Sequence, residues 1–444
     1  YWKIEYLGLI LLSTVVDFFA AQFIASTDDH LKKKIGLSIS LFTNLGLLVL
    51  FKYSGWFMTD VLHPISAISD SQLNGFQNFW NFALPVGISF YTFQTLGYSI
   101  DVYYGRAIPE KNPFKFALFV SFFPQLVAGP IERFSHLHKQ LFKEQKFNYT
   151  FLQQGGRMIL YGLFIKMCVA DNISHVVDQI FEQQNEASAL QLVLGALLFG
   201  IQIYSDFHGY SLIAIGTSRL LGIELMDNFN APYTATSIRE FWSKWHISLS
   251  TWFRDYLYIP LGGSRGGIWI KVRNTFAIFL VSGFWHGANW TFIIWGALNA
   301  IYFLPLLLTS NNRKNLGVVA EGKLLPSFRE LSAMLTTFML TVFAWIFFRA
   351  ENISHAFSYI GGIFSESILS VPSLIGKMKA LITFCLIAFF LTIEWFGRKD
   401  RFAIEKLKEK SILIRIPIYL IISIIILEFL FNLKESQEFI YFQF

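Results

Sequence analysis

The stretch SILIRIPIYLIISIIILEFLF, residues 411–431, is long and apolar enough to cross a lipid bilayer as one helix. A helix that crosses the hydrocarbon core needs about 20 mainly apolar residues, because lipid offers no hydrogen-bond partner to an unpaired backbone group. Comparable runs recur along the whole chain, and we count about ten to twelve candidate spans of that length. They lie near residues 5–25, 35–53, 81–100, 114–129, 156–171, 188–205, 210–224, 274–308 (one span or two), 331–348, 379–396 and 411–431.

The composition agrees with lipid as the surrounding medium. Of the 444 residues, 54% are hydrophobic and 15% are charged, whereas about a quarter of the residues of a soluble domain are charged. The sequence therefore predicts an all-α, polytopic membrane protein with about ten to twelve transmembrane or re-entrant helices. Without a linker rich in Gly, Ser or Pro and without an internal repeat, residues 1–444 are predicted to form a single membrane domain.

The net charge of +6 indicates orientation in the membrane, because the cations stand in short clusters beside apolar runs and form no single basic face for nucleic acid. The positive-inside rule places these clusters in the cytoplasm. They are residues 28–34, 132–146, 264–273 and 397–410. Residues 58–81 and 171–188 contain acidic residues but no Lys or Arg, so we place them outside.

Two cysteines, Cys168 and Cys385, stand far apart in apolar segments. They predict core packing and neither a disulfide framework nor a metal site. The chain begins at Tyr1, without a Met and without the pattern of a signal peptide, so we expect further residues upstream.

His286 is the histidine with the most unusual surroundings. It stands in VSGFWHGANWTFIIWG, residues 281–296, among Trp285, Trp290 and Trp295 and with no charged residue nearby. Ionisable groups at membrane depth usually face a cavity or the bundle interior and mark a reaction or transport path. The glycines Gly283, Gly287 and Gly296 would let a neighbouring backbone or a thin ligand approach closely. A functional role for His286 is favoured, with a structural histidine as the alternative.

A second polar and aromatic segment, residues 238–267, is too polar to cross lipid unaided. As one helix it would place His246, Ser250 and Arg254 on one stripe at intervals of four residues. A second stripe would hold Trp242, Trp245, Leu249, Trp252 and Tyr256. Such a segment suits a protein-buried, re-entrant or interfacial helix. The alternative is an aromatic interface belt in which Arg254 and Asp255 pair for structural reasons.

These histidines favour acyl transfer, because a histidine in a buried, water-poor pocket has a pKa low enough to accept the proton of an acceptor hydroxyl. No Gly-x-Ser-x-Gly elbow, phosphate loop, His-Glu-x-x-His or Cys-x-x-Cys pattern is present, which argues against hydrolase, nucleotidase and metal chemistry. The other histidines fit solvated, interfacial or structural positions. Polar, Trp and Gly residues concentrate in residues 84–296, which we predict to be the catalytic core region.

Four stretches in order resemble the membrane-bound O-acyltransferases, and within that family the proteins of alginate O-acetylation and of D-alanyl transfer to teichoic acid. They are LPVGISFYTFQTLGYSIDVYYG (84–105), FFPQLVAGPIER (122–133), FWSKWHISLSTWFRDYLYIPLGG (241–263) and SGFWHGANWTF (282–292). The resemblance covers most of the chain. The usual start of the family's first helices is missing from this sequence, so the contribution of that region stays open.

The resemblance implies the site. His286 matches the family's invariant catalytic histidine, and His246 matches its second active-site position, which is His or Asn. Helices would surround a central funnel that admits the acyl donor from the cytoplasm, and a thin floor would separate the funnel from an outer cavity. Side chains at other motif positions or beside the histidines are expected to line it: Trp242, Trp245, Ser250, Arg254, Asp255, Tyr258, Trp285 and Trp290.

The C-terminal tail, residues 434–444, has the sequence KESQEFIYFQF and is predicted to be extracytoplasmic. It resembles a terminal tyrosine motif of small partner proteins in the D-alanyl pathway, where the tyrosine relays the acyl group. Tyr441 is then a candidate acyl relay to an extracytoplasmic transferase. Interfacial anchoring by Phe439, Tyr441, Phe442 and Phe444 is the alternative.

Together these features predict a membrane-bound O-acyltransferase in the cytoplasmic membrane of a bacterium. It would move an acyl group, with acetyl favoured, from a cytoplasmic thioester such as acetyl-coenzyme A to the outer face for O-acetylation of a cell-surface or exported polysaccharide. The thioester is a co-substrate, and no bound cofactor or metal is expected. An extracytoplasmic O-acetyltransferase is the expected partner, which makes contact with the polysaccharide indirect.

Three alternatives remain open from the sequence. D-alanyl transfer to teichoic acid would require a carrier protein charged with D-alanine as the donor. A proton-coupled transporter would show matching repeats with broken helices, which the sequence lacks. A non-catalytic membrane scaffold would tolerate loss of His286.

Overall fold

Helices form all of the regular structure in the part of the chain that the computed structural model describes, which comprises residues 6–63, 85, 87–127, 129–309, 317–365, 377–432 and 439–440. The all-α prediction is confirmed. The chain divides into two compact units, one made of Tyr1–Phe147 and Leu221–Met226 and the other of Asn148–Leu220 and Asp227–Phe444.

The described residues of the first unit form six α-helices. They are α1 (Leu7–Ala25), α2 (His30–Leu62), α3 (Ile88–Tyr103), α4 (Pro113–Val120), α5 (Phe123–Leu126) and α6 (Phe134–Leu141). The Asp29 side chain caps α2 by accepting a hydrogen bond from the Leu31 backbone, and Asn112 caps α4 in the same way. These caps satisfy backbone donors that the first helical turn leaves unpaired.

Buried polar side chains join α1, α2 and α3 around Asp17. Its carboxylate accepts hydrogen bonds from the Ser40 hydroxyl, from Asn44 Nδ2 at 2.8 Å and from the Ser99 hydroxyl at 3.1 Å. Thr95 donates to Asn44 Oδ1 at 3.2 Å. Because a polar group at membrane depth is costly without partners, this network fixes the three helices against one another.

The described residues of the second unit form ten α-helices. They are α7 (Tyr149–Glu182), α8 (Ala189–Leu220), α9 (Ile238–Lys244), α10 (Ile247–Phe253), α11 (Ile268–His286), α12 (Trp290–Leu308), α13 (Phe328–Arg349), α14 (Ile353–Ile363), α15 (Lys377–Gly397) and α16 (Ile412–Asn432). A π-helical stretch, Phe164–Ala170, interrupts α7. Another, Arg254–Tyr258, follows α10.

Glycines bring α7 and α8 into close contact. A Cβ added to Gly162 would lie 2.7 Å from the Gly209 carbonyl oxygen, and one added to Gly209 would lie 2.8 Å from the Gly162 oxygen. Gly155 and Gly216 make the same reciprocal contact at 2.7 Å. In each helix the two glycines are separated by two turns and share a face, so the backbones pack against each other as in membrane helix pairs with small residues at the interface.

Eight helices in the described ranges are long and apolar enough to cross a membrane. They are α1, α2, α7, α8, α12, α13, most of α15 and most of α16. The prediction of about ten to twelve also included re-entrant helices, and the predicted spans contain further helices such as α3 and α11. The predicted span 114–129 is wrong, because the chain forms the short helices α4 and α5 there. Pro124 explains the break, since its ring would clash with the Val120 carbonyl if α4 continued.

The predicted spans 188–205 and 210–224 are also wrong as separate elements, because α8 is one helix of 32 residues. The polar interruption that suggested a break stays helical because its side chains find partners inside the unit. Asp206 forms an ion pair with Lys166 at 2.6 Å, and His208 lies 3.9 Å from the Glu394 carboxylate. The predicted region 274–308 consists of two helices, α11 and α12.

The last two spans expose most of their surface. In α16 only 11% of the span is buried, and in α15 only 28%. Cys385 lies on an exposed face of α15, so the prediction of core packing is wrong for this cysteine and confirmed for the buried Cys168. A cysteine behaves as a small apolar side chain and suits a surface that faces lipid.

Candidate active site

The chain turns sharply at His246, between α9 and α10. The φ angle of His246 is +42°, in the left-handed region that non-glycine residues rarely adopt. Two backbone hydrogen bonds to a neighbouring segment hold this turn: the Asn230 N–H donates to the Lys244 carbonyl at 3.0 Å, and the Ile247 N–H donates to the Asn228 carbonyl at 2.9 Å. The segment is therefore not the one helix for which the two stripes were described. The two predicted stripes are divided between α9 and α10 because these tertiary bonds replace helical ones.

Asn228 supports the turn with its side chain as well as its backbone. It is buried, its Oδ1 accepts a hydrogen bond from the Ser248 hydroxyl at 2.7 Å, and its Nδ2 donates to the Ser211 hydroxyl at 3.1 Å. Asn228 thereby connects the start of α10 to α8. A left-handed residue costs about 1–3 kcal/mol and persists only where the surroundings determine it, and Asn228 is part of those surroundings.

His286 is the last residue of α11, and only 5% of its surface is exposed. Its ring packs against Trp285 at 4.8 Å, Trp295 at 5.1 Å and Phe348 at 5.3 Å between ring centroids. These rings come from α11, α12 and α13, so three helices enclose the imidazole.

The predicted close approach at the glycines near His286 is confirmed for neighbouring protein atoms. A Cβ on Gly283 would lie 2.2 Å from the Phe292 carbonyl oxygen, and one on Gly296 would lie 2.3 Å from the Phe279 oxygen. At Gly287, a Cβ would overlap the Phe292 ring at 2.0 Å. The position of the α11 end, and with it His286, depends on this contact.

Trp285 connects the two histidines. Its ring centroid lies 4.8 Å from that of His286 and 6.3 Å from that of His246. His246 is 1% exposed, and its ring also packs against Phe207 of α8 at 4.7 Å. Two histidines that are 40 positions apart in the sequence therefore share one buried aromatic site within the second unit.

A second path of aromatic contacts runs from Trp295, which packs against His286, to Trp245, the residue before His246. Trp295 stacks on Trp345 at 5.6 Å, and Trp345 packs against Trp245 at 5.2 Å. Trp242 contacts Trp295 at 5.7 Å, and its indole N–H donates to Asn299 Oδ1 at 3.2 Å. The predicted lining residues Trp242, Trp245 and Trp285 thus belong to the aromatic surroundings of the histidines.

The other predicted lining residues lie further out or serve the local fold. Ser250 donates to the Trp245 carbonyl at 3.3 Å. The Arg254 side chain is 59% exposed and pairs with Asp255 at 2.7 Å, which agrees with the structural alternative for this pair. The Tyr258 hydroxyl lies 3.2 Å from the Ser264 hydroxyl, and Trp290 is 43% exposed at the start of α12.

Tyr441 lies outside the described residues. The two residues before it are described, and both Phe439 and Ile440 are buried in the second unit.

Burial lowers the pKa of His246 to about 3. The imidazole is therefore neutral at physiological pH, since burial disfavours its charged form. A group with so low a pKa is a weak base, because general bases work best with a pKa near the operating pH. His246 is better suited to orient a neighbouring group by hydrogen bonding than to remove a proton. In the described ranges, no three His, Cys, Asp or Glu side chains are grouped so that they could hold a metal ion.

Comparison with known proteins gives a family match. The profile of the membrane-bound O-acyltransferase family matches residues 1–322. A probable alginate O-acetylase of Pseudomonas syringae pv. tomato is 36% identical over 408 residues, which cover 90% of this chain and 74% of that protein. A peptidoglycan O-acetyltransferase of Helicobacter pylori is 36% identical over 390 residues, or 82% and 71% of the two chains. A teichoic acid D-alanyltransferase of Streptococcus thermophilus is 31% identical over 255 residues, or 54% and 60%.

Proposed function

Because this chain belongs to the membrane-bound O-acyltransferase family, we propose that His286 and His246 form its acyl-transfer site. The chain is an acyltransferase and a multi-pass membrane protein. The observation that supports the site most directly is the position of Trp285, whose ring packs against both buried histidines.

In the proposed reaction His286 is the general base. It takes the proton of an acceptor hydroxyl, the oxygen forms a bond to the acyl carbon of a thioester, and the carbon–sulfur bond breaks. The departing thiolate then takes the proton from His286, which returns the imidazole to its neutral form. General base catalysis of this kind contributes about 10²–10⁴-fold to a rate. His246, neutral because of its burial, orients the donor or the acceptor.

We propose an acetyl group as the cargo and acetyl-coenzyme A, or another acyl thioester, as the cytoplasmic co-substrate. The relatives named for O-acetylation of alginate and peptidoglycan match this chain at higher identity and over more of its length than the relative named for D-alanyl transfer. This difference favours O-acetylation of a cell-surface or exported polysaccharide over D-alanyl transfer to teichoic acid.

The proposal places the protein in the cytoplasmic membrane of a bacterium. An extracytoplasmic O-acetyltransferase would receive the acyl group and deliver it to the polysaccharide. Tyr441 remains the proposed relay between the two proteins. The aromatic residues Trp242, Trp245, Trp285 and Trp290, together with Ser250, Arg254, Asp255 and Tyr258, remain proposed lining residues of the substrate path.

The proposal is tested by polymer acetylation in cells that lack the gene and carry a plasmid copy. His286→Ala is expected to lower acetylation at least about 100-fold, because it removes the base. His175→Ala is the matched control, since it removes an exposed histidine of the same unit and should leave acetylation unchanged. The amount of each variant in the membrane is measured by immunoblotting. Full acetylation with His286→Ala at normal abundance would contradict the proposal and favour a scaffold.

A further inference from the structure

Three charged side chains are buried together between α7 and α8, apart from the two histidines. Lys166 lies in the π-helical stretch of α7, and its Nζ is 2.6 Å from an oxygen of Asp171 and 2.6 Å from Oδ1 of Asp206. Burying an ion costs several kcal/mol unless partners compensate for it. One cation faces two carboxylates here, so the cluster has acceptor capacity that Lys166 does not use.

The chain itself supplies a further donor. The backbone N–H of Ile440 donates to Oδ2 of Asp206 at 2.8 Å, on the oxygen that does not face Lys166. A buried backbone N–H needs an acceptor, and a carboxylate makes a stronger hydrogen bond than a neutral oxygen does. Asp206 is therefore shared between the α7 cation and the C-terminal segment.

The side chain next to this hydrogen bond is fully buried. Phe439 packs against Tyr210 at 4.5 Å and against Phe207 at 5.8 Å between ring centroids. Phe207 also packs against the His246 ring, at 4.7 Å between ring centroids. One phenylalanine ring thus contacts both the C-terminal segment and a histidine of the proposed acyl-transfer site.

The segment lies deep along the bundle. Asp206 is about halfway along the 32-residue helix α8, at about 25 Å from its first residue for a rise of 1.5 Å per residue. The last span, α16, ends at Asn432, and by Phe439 the chain lies beside the middle of α8. An apolar anchor at the membrane surface would not need a carboxylate partner at this depth.

We propose that Lys166, Asp206, Phe207 and Tyr210 form a binding site for the C-terminal segment of this chain, here called the tail site. Phe439 packs against Phe207 and Tyr210 of this site, and the Ile440 N–H donates a hydrogen bond to Asp206. The consequence for catalysis rests on the proposed function: Asp206 is a positioning residue that fixes the residue before Tyr441, and the neighbouring Phe439 contacts Phe207, whose ring packs against His246. Loss of the tail site would lower transfer by releasing the segment, without altering either histidine.

Hydrogen–deuterium exchange of the purified protein in lipid nanodiscs tests the tail site without any acyl donor. In the wild type the peptide with Phe439 and Ile440 should exchange slowly. Asp206→Ala should speed exchange at Ile440 roughly 10- to 100-fold, the factor for losing a hydrogen bond to a charged group. Phe439→Ala, which removes the ring of the segment and leaves Lys166 and Asp206 in place, should also speed it.

Asp178→Ala is the control, because it removes an ion pair with Arg349 at 2.7 Å in the same unit and should leave Ile440 protected. An unprotected Ile440 amide in the wild type would overturn the tail site. So would unchanged exchange with Phe439→Ala, a variant that decides the matter even where Asp206→Ala fails to accumulate.

A rate measurement then separates the two proposals. If Asp206 acts through the segment, Asp206→Ala should lower the acyl-transfer rate in the wild-type chain and have no further effect in the Phe439→Ala chain. If the effects of Asp206→Ala and Phe439→Ala on the rate add up in the double variant, Asp206 has a merely structural role. A wild-type protein that protects Ile440 but transfers no acyl group would leave the tail site standing and refute the proposed function.

Discussion

Gly283→Ala is expected to disturb catalysis by shifting the end of α11. Gly283 lies about one helical turn before His286, and an added Cβ would stand 2.2 Å from the Phe292 carbonyl oxygen. That atom belongs to the backbone of α12 and cannot rotate away. The two helices must therefore separate at the point where they hold the imidazole.

The size of the effect follows from the contact distance. Ordinary van der Waals contact begins near 3.4 Å, so α11 and α12 must separate by about 1 Å at Gly283. A misplacement of about 1 Å at a catalytic group can cost roughly 100-fold in rate. Overpacking of this kind lowers the free energy of unfolding by about 1–3 kcal/mol, which still leaves a folded protein.

The assay compares initial rates of acetyl transfer by the purified variants, with thermal unfolding measured alongside. The control is Gly361→Ala in α14, where an added Cβ meets no atom within 4 Å. The control should keep its rate and gain up to about 1 kcal/mol in stability, because alanine favours a helix over glycine. A Gly283→Ala protein that is folded and transfers acetyl at the wild-type rate would refute the role of this helix contact in placing His286.

Four further changes test the packing and the site. Gly155→Ala, which forces a Cβ to 2.7 Å from a backbone oxygen, should lower the thermal unfolding free energy by about 1–3 kcal/mol, whereas Gly156→Ala, with open space around it, should not. Asn228→Ala should lower both stability, by about 1–3 kcal/mol, and the transfer rate. Asn352→Ala removes only the cap of α14 and should cost about 1 kcal/mol at an unchanged rate. Burial lowers the pKa of His246 to about 3, from about 6.5 when unfolded, so its contribution to stability is complete above pH 6.5 and is lost as the pH falls. His246→Asn should therefore flatten the pH dependence of the unfolding free energy between about pH 4 and 6, where this residue adds up to about 1.4 kcal/mol per pH unit.

The sequence predicted the membrane class correctly because hydropathy depends on local composition. It misplaced span boundaries at α4, α5 and α8, where that composition was locally ambiguous. Residues 205–209 looked like a break in α8, yet the helix continues because Lys166 of α7 compensates Asp206. Such compensation comes from another span, and neither periodicity nor charge clusters reveal it.

The two histidines were identifiable from the sequence because each stands among aromatic residues and, for His286, without charges nearby. Their shared site was not deducible from spacing, since Trp345 and Phe348 come from α13, a span that reads as plainly apolar. The turn at His246 was equally hidden. It depends on a hydrogen bond donated by Asn230 and on one accepted by Asn228, and no local helical pattern indicates either of them.

The surroundings of the two histidines point to different roles in one reaction. His286 ends a long helix, where a glycine contact with α12 sets its position. His246 occupies a left-handed turn that tertiary hydrogen bonds maintain, and its burial holds the pKa far below the range in which a base is effective. Strain of about 1–3 kcal/mol at a buried, neutral imidazole is tolerated only where the geometry is worth more than the stability lost. We therefore propose that His286 transfers the proton and that His246 orients a substrate. His246→Asn, which keeps a polar side chain able to adopt the left-handed turn, should then retain more transfer activity than His286→Asn.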